Sequence, residues 1–175
     1  MNREVAFASH VCRAQRGSLE SLIYFNACQD RVAASIVDAV ERFGPIEIVE
    51  DGERLRVAVS GLPHAQALFA VETRTGRPVG VAVFARADLH YMTVVHLGVA
   101  SEFAAGGKRA HEQLLLRLLR ELRRSSRRIK GIERCELFYA HERDRSGARQ
   151  RELFDSRSFA AQSSAVAFTR SQIIQ

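Results

Sequence analysis

Hydrophobic residues recur at helical spacing in the N-terminal part of the chain. The apolar positions that define this pattern are Leu22, Phe25, Val32, Ile36, Val37 and Val40. They predict a helix over Ser18–Phe43, because apolar residues three and four apart share one helical face. Ser18 is a residue type that caps a first turn, and Gly44-Pro45 predicts the end of the helix. The same pattern also allows two helices with a break near Asn26–Asp30.

After Pro45 the apolar residues alternate with polar ones, which is the pattern of β-strands. The segment IEIVEDGERLRVAVS predicts a hairpin with its turn at Asp51-Gly52. A second hairpin is predicted where ALFAVET and RPVGVAVFARAD flank a short RTG turn, and YMTVVHLGVA follows as a buried strand. Further strands are predicted at RCELFYA and SSAVAFTRS, with a short helix at SGARQRELFDSR between them.

The strongest helical pattern lies between Lys108 and Lys130, where aliphatic residues form one face and arginines the opposite face. The aliphatic positions are Leu115, Leu118, Leu119, Leu122 and Ile129, and the arginines are Arg117, Arg120, Arg124 and Arg128. Gly131 suits the end of this helix. Strands before and after a central helix predict an α+β fold with one mixed, mostly antiparallel sheet flanked by helices.

Length and composition fit one globular domain. The chain has 175 residues, of which 46% are hydrophobic, and a domain of this size buries about 70% of its unfolded surface. The apolar runs are too short to span a bilayer, and the N-terminus lacks the features of a secretory signal peptide. We therefore expect a soluble, cytoplasmic protein without a membrane partner.

Three cysteines, Cys12, Cys28 and Cys135, are widely spaced along the chain. An odd number of cysteines without a C-x-x-C pair argues against a disulfide framework and against a zinc site. We expect all three to be small buried thiols. The segment HERDR, His141–Arg145, is interpreted as a solvated turn, because one His-Glu pair without a second ligand is poor zinc geometry. No metal site is predicted.

The positive charge of the chain is unevenly distributed. The net charge is +6, to which residues 1–107 contribute −2 and residues 108–175 contribute +8. All but two of the 26 basic residues are arginine, a bias that codon usage in a GC-rich genome produces as readily as selection for phosphate contacts. The arginines of the Lys108–Lys130 helix are suited to nucleic-acid phosphates. Nucleic acid is the less favoured partner, because no aromatic residues for base stacking accompany them.

A series of short motifs runs from about residue 67 to residue 170. They are the strand pair FAVETRTGRPVGVAVFA, the segment HLGVASEF before the basic helix, and the later LFDSRSFAAQSSAVAFTR. The positions that carry the comparison are Val71, Glu72, Gly80, Leu97, Val99, Glu102, Phe103, Phe154, Asp155 and Phe159. In this order the motifs resemble the GNAT superfamily of N-acetyltransferases. The resemblance implies a single GNAT-like domain over residues 1–175, with a divergent helical and hairpin part over 1–60 and a recognisable core over 67–170.

The resemblance implies a transferase that moves an acetyl group from acetyl-CoA (acetyl-coenzyme A), or another acyl group from its acyl-CoA, to an amine on a small molecule or a protein. The cofactor's pyrophosphate would lie at the start of the Lys108–Lys130 helix, where free N–H groups and the helix dipole favour an anion. The expected anion site consists of Gly106, Gly107, Lys108, Arg109 and Ala110. A bulge within Leu97–Val99, which is easiest at Gly98, would aim a backbone N–H at the thioester carbonyl.

Acylation of an amine requires the amine to be neutral, and so it requires a base. His96, on the buried strand, is the first candidate because an ordinary histidine titrates near neutral pH; Glu72 and Glu102 are alternatives. Each of the three also has a structural interpretation, as a core histidine or as surface carboxylates. In this family a tyrosine often protonates the departing thiolate, but Phe154 stands at that position and has no proton to give. Tyr139 is therefore the candidate acid.

Departures from the family pattern leave other functions open. The family's Q/R-x-x-G-x-G/A loop does not align cleanly with FAAGGKRAHEQLL, and Ser158 stands where the family's glycine usually is. The alternatives are a non-catalytic protein of the same fold and a nucleic-acid-associated basic protein. A homodimer is the default expectation for the oligomeric state.

Overall fold

A computed structural model describes residues 4–86 and 88–138 of the chain, and its elements surround a five-stranded sheet. The strands are β1 (Val5–Ala8), β2 (Val11–Cys12), β3 (Ile46–Asp51), β4 (Arg54–Val59), β5 (Gln66–Glu72), β6 (Pro78–Arg86), β7 (Tyr91–Val99) and β8 (Arg134–Leu137). The helices are α1 (Arg16–Ile23), α2 (Ala33–Phe43) and α3 (Leu114–Ser126). The predicted helix at SGARQRELFDSR and the strand at SSAVAFTRS lie outside the described residues, and the prediction of one domain over 1–175 extends beyond them.

The central sheet is mixed and mostly antiparallel, as predicted. Its strand order is β1-β5-β6-β7-β8. Strands β1, β5, β6 and β7 pair antiparallel with their neighbours in this order, whereas β8 pairs parallel with β7. Parallel neighbours need a crossover connection, and α3 provides it between β7 and β8. The α+β class predicted from the alternation of strand and helix patterns is therefore confirmed.

A second sheet, with strand order β2-β4-β3, is separate from the central one. The hairpin of β3 and β4 forms as predicted, and Gly52 adopts a φ of 61° in its turn. The hairpin pairs with β2, however, and does not join the central sheet. The prediction of a single sheet is therefore wrong. Strands β1 and β2 were not predicted, because strands of four and two residues are too short to show an alternating pattern.

The N-terminal helical segment is broken, as the second of its two interpretations predicts. A 3-10 turn over Ala27–Val32 separates α1 from α2. Asn26 begins this turn, because its side-chain oxygen accepts a hydrogen bond from the Cys28 N–H at 3.1 Å and so favours a turn over a continued helix. Ser18 lies within α1 and does not cap it. The predicted end of α2 at Phe43 is confirmed.

Helix α3 is shorter than the predicted Lys108–Lys130 helix at both ends. Its buried residues are Leu114, Leu118, Leu122 and Ser126. Leu115 and Ile129 were assigned to the buried stripe, but each is 39% exposed. The buried row follows four-residue steps from Leu114, so Leu115 falls beside it and Ile129 lies beyond the helix. Among the helices of the described residues, none combines the length and the apolar character needed to cross a membrane.

Two apolar cores use the two faces of the central sheet. One core contains residues of α1, α2 and the second sheet, and the other contains the buried leucines of α3. Neighbouring residues of a strand point to opposite faces, so Val81 and Val83 of β6 join the first core and Ala82 joins the second. The central sheet is therefore covered on both sides.

The three cysteines are free thiols, but they are not buried as predicted. Cys12 and Cys28 are exposed and Cys135 is half-buried. Cys12 ends the short edge strand β2, and Cys28 lies in the turn between α1 and α2, which are both surface elements. Burial raises the pKa of the Cys135 thiol.

Candidate functional site

The second half of β7, Val95–Val99, brings several of the predicted site residues together. Strand β8 pairs with the first four residues of β7. In the second half, Gln29 Nε2 donates to the Leu97 carbonyl at 3.0 Å and Asn26 Nδ2 donates to the Val99 carbonyl at 3.0 Å. A neighbouring strand would use such carbonyls for its own ladder of hydrogen bonds. At these two positions, β7 is therefore met by side chains from the turn between α1 and α2.

A β-bulge lies in β7 where its two halves meet. The register of β7 against β6 jumps from Val94 to His96, so Val95 is the extra residue. A bulge increases the local twist of a strand and turns its later residues away from the earlier direction. The bulge was predicted at Gly98, but Gly98 pairs in regular register with Val81. That position is therefore corrected to Val95.

Glycine is needed at position 98 because the turn between α1 and α2 approaches β7 closely. A Cβ built there would lie 3.1 Å from Gln29 Nε2 and 3.2 Å from both Asn26 Nδ2 and the Leu22 carbonyl oxygen. These separations are tighter than ordinary van der Waals contacts. The absence of a side chain at Gly98 thus allows the two amides to reach the carbonyls on either side of it.

His96 is the predicted base, and it is almost completely buried, at 1% exposure. Its Nε2 lies 3.4 Å from Gln29 Nε2, and its ring is hydrogen-bonded to the backbone of Leu22. Burial lowers the pKa of His96 to about 4, and the hydrogen bond to Leu22 opposes that shift only in part. The imidazole is therefore neutral near pH 7. It is also a weak proton acceptor there, because an efficient base titrates close to the working pH.

A small cavity adjoins His96. Its volume is about 20 Å³, and its other lining residues are apolar: Ile36, Ala39, Val40, Phe43, Gly44, Ile46, Val59 and Val95. A cavity of this volume has room for about one water molecule. It is too small for a substrate amine in this conformation.

The loop between β7 and α3, which contains the predicted anion site, turns several of its N–H groups inward. The N–H groups of Gly107, Arg109 and Ala110 donate to backbone carbonyls of the same loop at 2.9, 2.7 and 3.1 Å. A Cβ at Gly107 would clash with the carbonyl oxygens of Ser101 and Glu102. These three N–H groups are therefore engaged within the loop and do not point to an external anion.

Arg109 holds this loop against the rest of the fold. Its guanidinium lies 2.8 Å from carboxylate oxygens of both Glu4 and Glu72, and it also pairs with Glu112. The same group stacks on the Phe103 ring, with 4.2 Å between the guanidinium carbon and the ring centroid. Arg109 thus links the loop to β5 and to the residue before β1. Gly106 and Lys108, the remaining predicted anion ligands, are exposed on this loop.

Arg77 binds Glu72 and Glu102, the two alternative candidate bases, and so joins Glu102 to the ion pairs around Arg109. It pairs with Glu72 at 3.3 Å and also with Glu102. The hydrogen bond from Arg77 is the main reason that the pKa of Glu72 is lowered. Burial alone would raise the pKa of Glu102, but hydrogen bonds from Arg77 and from its own backbone outweigh burial and lower it. Both carboxylates are therefore committed ion-pair partners and weak bases.

Four carboxylates meet beside the loop, and fewer arginines balance them. The carboxylates are those of Glu4, Glu72, Glu102 and Glu112, and the arginines are Arg77, Arg109 and, at 3.8 Å from Glu112, Arg117. The arginines of this cluster are engaged by its carboxylates, so the cluster itself offers an anionic cofactor no excess of positive charge. The sequence pattern at residues 106–110 gave no sign of the two carboxylates from other elements, Glu4 and Glu72.

Two residues of the site were missed by the sequence analysis. Asn26 and Gln29 were recognised only as part of a possible helix break, although their amides bind the carbonyls on either side of Gly98. Tyr139, Phe154 and Ser158 lie outside the described residues. Within residues 4–86 and 88–138, no three His, Cys, Asp or Glu side chains come together to form a candidate metal site.

Comparison with known proteins gives no assignment: no family model matches the chain, and neither the curated proteins nor the solved structures contain a significant match. A function for this chain therefore has to be inferred from its strand order and from the geometry around β7.

Replacement of Arg109 is expected to release the loop. Arg109→Met keeps most of the side-chain length but removes the cation shared by three carboxylates, so we expect the free energy of unfolding to fall by about 1–2 kcal/mol. Urea unfolding followed by circular dichroism measures this change. Arg74→Met, at an exposed position in the turn between β5 and β6, is the matched control and should change stability by less than about 0.5 kcal/mol. Equal effects of the two substitutions would contradict the linking role of Arg109.

Proposed function

We propose that this chain is a GNAT-type N-acyltransferase that moves an acetyl or other acyl group from coenzyme A to an amine. One observation carries the proposal. Within the described residues, which end at Phe138, parallel strands β7 and β8 pair along the first half of β7, whereas the Leu97 and Val99 carbonyls in its second half bind the side-chain amides of Gln29 and Asn26. Such an arrangement fits strands that part, and the resemblance implies an acyl-CoA between two such strands. A cytoplasmic location, where coenzyme A is available, is part of the proposal.

The connection from β7 through α3 to β8 supports this proposal. The loop before α3 begins at the carboxyl end of β7, beyond the bulge at Val95 and next to the Val99 carbonyl. In open α/β sheets, ligands bind at the carboxyl ends of parallel strands, where helix N-termini face them, and the β7–α3–β8 unit has the same local arrangement. The first hydrogen bond of α3 is donated by Arg117 to Gln113 at 3.0 Å. The N–H groups of residues 114–116 precede it, but Leu114 is completely buried, so this proposal assigns the N–H groups of Leu115 and Leu116 to the cofactor's pyrophosphate.

The two amides at β7 suggest how the chain accommodates the cofactor. Gln29 and Asn26 donate hydrogen bonds to carbonyls that an extended, amide-containing arm of coenzyme A could bind instead. Side chains can rotate away at a smaller cost than a paired strand can be removed. In this proposal, Gln29 and Asn26 satisfy the carbonyls in the free protein and exchange with the cofactor when it binds. His96 contacts Gln29 and remains the candidate base, and Tyr139 remains the candidate acid.

A thermal unfolding experiment with acetyl-CoA tests cofactor binding. At a ligand concentration of about 100 times the dissociation constant, binding stabilises the folded chain by about 2.7 kcal/mol. For a domain of this size, that raises the melting temperature by roughly 5–10 °C. ATP at the same concentration is the control, because a basic chain also attracts other polyphosphates. If acetyl-CoA and longer acyl-CoAs shift the melting temperature no more than ATP does, the proposal is rejected.

The substitution Gly98→Val tests whether acetyl-CoA binds at β7. Its side chain would occupy the space between the Leu97 and Val99 carbonyls, where a Cβ already comes within 3.2 Å of its neighbours. We expect the variant to lose most of the acetyl-CoA shift relative to its own ligand-free melting temperature. Gly17→Val, in the first turn of α1, is the control, because Gly17 likewise has no positive φ and a Cβ there would meet nothing within 4 Å.

A non-catalytic protein of the same fold is the second candidate, and the state of the acid–base groups favours it. The pKa of His96 is lowered to about 4, and Glu72 and Glu102 are both engaged by Arg77. A thiol-release assay with a panel of amines separates the candidates. Binding of acetyl-CoA without release of free coenzyme A in the presence of any amine would favour the non-catalytic protein.

A further inference from the structure

The outer surface of α3 and the residues after it carry positive charge that the site on β7 does not use. The basic face, as we define it, consists of Arg120, Arg123, Arg124, Arg127 and Arg128, all of which are exposed. Arg120, Arg123 and Arg124 lie along one side of α3, because residues three and four apart share a helical face. Arg127 and Arg128 follow in the turn after the helix, where their N–H groups still donate to the Arg123 and Ser125 carbonyls. Arg124 of the basic face forms an ion pair with Glu121 at 3.3 Å.

The basic face is electrostatically unfavourable for the isolated chain. Like charges three or four residues apart on a helix repel one another, and the basic face contains several such pairs, including Arg120 with Arg124 and Arg123 with Arg127. The helix dipole compensates arginines in the last turn, but not Arg120 near the middle of α3. An anionic partner would relieve this repulsion, so charge complementarity identifies a polyanionic surface as the ligand.

Exposed aliphatic side chains flank the basic face at both ends. They are Leu115 at 39% and Leu116 at 46% exposure before it, and Ile129 at 39% and Leu89 at 69% exposure after it. The turn before β7 comes next to the turn after α3, because the Glu133 N–H donates to the His90 carbonyl at 2.8 Å. A Cβ at Gly131 would lie 3.0 Å from the Leu89 carbonyl oxygen. Leu89 therefore projects from the same end of the molecule as the residues that follow α3.

We propose that the basic face and Leu89 dock this protein peripherally on an anionic phospholipid surface, in contrast to the expectation of no membrane partner, which considered only spanning segments and a signal peptide. Clusters of four to eight basic residues on a helix bind anionic headgroups, and neighbouring aliphatic side chains enter the boundary between headgroups and acyl chains. Recognition of single-stranded nucleic acid would instead use exposed aromatic residues. In the part of the chain that the structure describes, the exposed aromatic residues are Tyr24 and Phe25, which follow α1 on the other side of the central sheet.

Cosedimentation with lipid vesicles tests the charge component of this proposal. We expect the chain to bind vesicles of phosphatidylcholine with about a third phosphatidylserine at about 0.1 M salt, and not to bind pure phosphatidylcholine vesicles. Each basic residue near such a surface contributes roughly fivefold, so Arg120→Glu with Arg127→Glu should weaken binding by about 30-fold or more. Arg120→Glu places a carboxylate beside arginines of α3, whereas Arg127→Glu places one at the C-cap of α3, where the helix dipole disfavours it. Circular dichroism of this double variant and of its control therefore has to match that of the original chain before their binding is compared.

The matched control reverses the same number of charges elsewhere. Arg54→Glu with Arg74→Glu, at exposed positions in β4 and in the turn between β5 and β6, should leave vesicle binding within about twofold of the original chain. If both double variants lose binding equally, attachment follows net charge alone and the proposed surface is wrong. Absence of phosphatidylserine-dependent binding overturns the proposal as well.

The substitution Leu89→Ser distinguishes binding to a membrane from binding to a nucleic acid. Removal of this exposed aliphatic group should weaken vesicle binding by about tenfold, because the group leaves water only at a lipid surface. A short DNA duplex is titrated under the same salt conditions. If the duplex binds more tightly than the vesicles and Leu89→Ser changes neither affinity, the basic face is a nucleic-acid surface and the membrane proposal is rejected. Coenzyme A plays no part in these measurements, so their failure leaves the proposed acyltransferase function unaffected.

Discussion

Leu118→Ala is expected to lower the free energy of unfolding by about 2–5 kcal/mol. Leu118 is completely buried, and it lies between Leu114 and Leu122 in the row of α3 that packs on the central sheet. Its truncation removes apolar contacts and leaves a cavity that the neighbouring strands can fill only in part, because they are fixed by their own hydrogen bonds. Urea unfolding measures the effect as a lower midpoint with an unchanged slope.

Leu115→Ala is the matched control for this prediction. It removes the same atoms from the same helix at a side chain that is 39% exposed, so we expect a loss of less than about 1 kcal/mol. The two residues were equivalent in the sequence pattern, which assigned both to one buried stripe. A loss for Leu115→Ala as large as that for Leu118→Ala would show that α3 faces the sheet with a different side.

The beginning of α3 shows why element limits were harder to predict than element types. The spacing of the leucines is a local property and correctly indicated a helix. The segment before it is not α-helical: Ala110–Glu112 forms a 3-10 turn, Arg109 binds Glu4 and Glu72, and Gln113 adopts a left-handed φ of 50° that separates the turn from α3. Glu4 is 105 residues away from Arg109, and no local periodicity records such a contact. The glycines before the basic helix also indicated an anion site, because two of the three carboxylates that bind Arg109, Glu4 and Glu72, come from other elements and are not part of the local pattern.

The candidate site likewise contains one residue that could be predicted from the sequence and two that could not. His96 could be identified because a polar residue on an apolar strand interrupts a simple pattern. Asn26 and Gln29 could not, because their partners Val99 and Leu97 lie 73 and 68 residues further along the chain. The helix break was visible in the sequence, but its approach to β7 depends on how α1 packs on the sheet. A side chain's type was therefore predictable here, and its partner was not.

Mild acid is expected to destabilise the protein through His96. The pKa of this residue is lowered from an ordinary 6.5 to about 4, chiefly by burial. The unfolded chain therefore binds a proton as the pH falls through 6.5, while the folded chain does so only near pH 4. Between these values the unfolded state carries more protons, so stability decreases as the pH decreases. The full effect of a shift of this size is about 3 kcal/mol, and it is complete once the pH lies below the folded pKa.

His96→Gln isolates this contribution, because glutamine keeps a neutral hydrogen-bonding group but does not titrate. Between pH 7 and about pH 4.5, the original chain should lose about 2 kcal/mol more stability than the variant. The acidic groups paired with Arg77 and Arg109 titrate in both chains and cancel in the difference. His111→Gln, at an exposed position, should give a profile parallel to that of the original chain. If His96→Gln is parallel as well, the folded protein binds a proton at His96 near its ordinary pKa, and the argument against His96 as an effective base disappears.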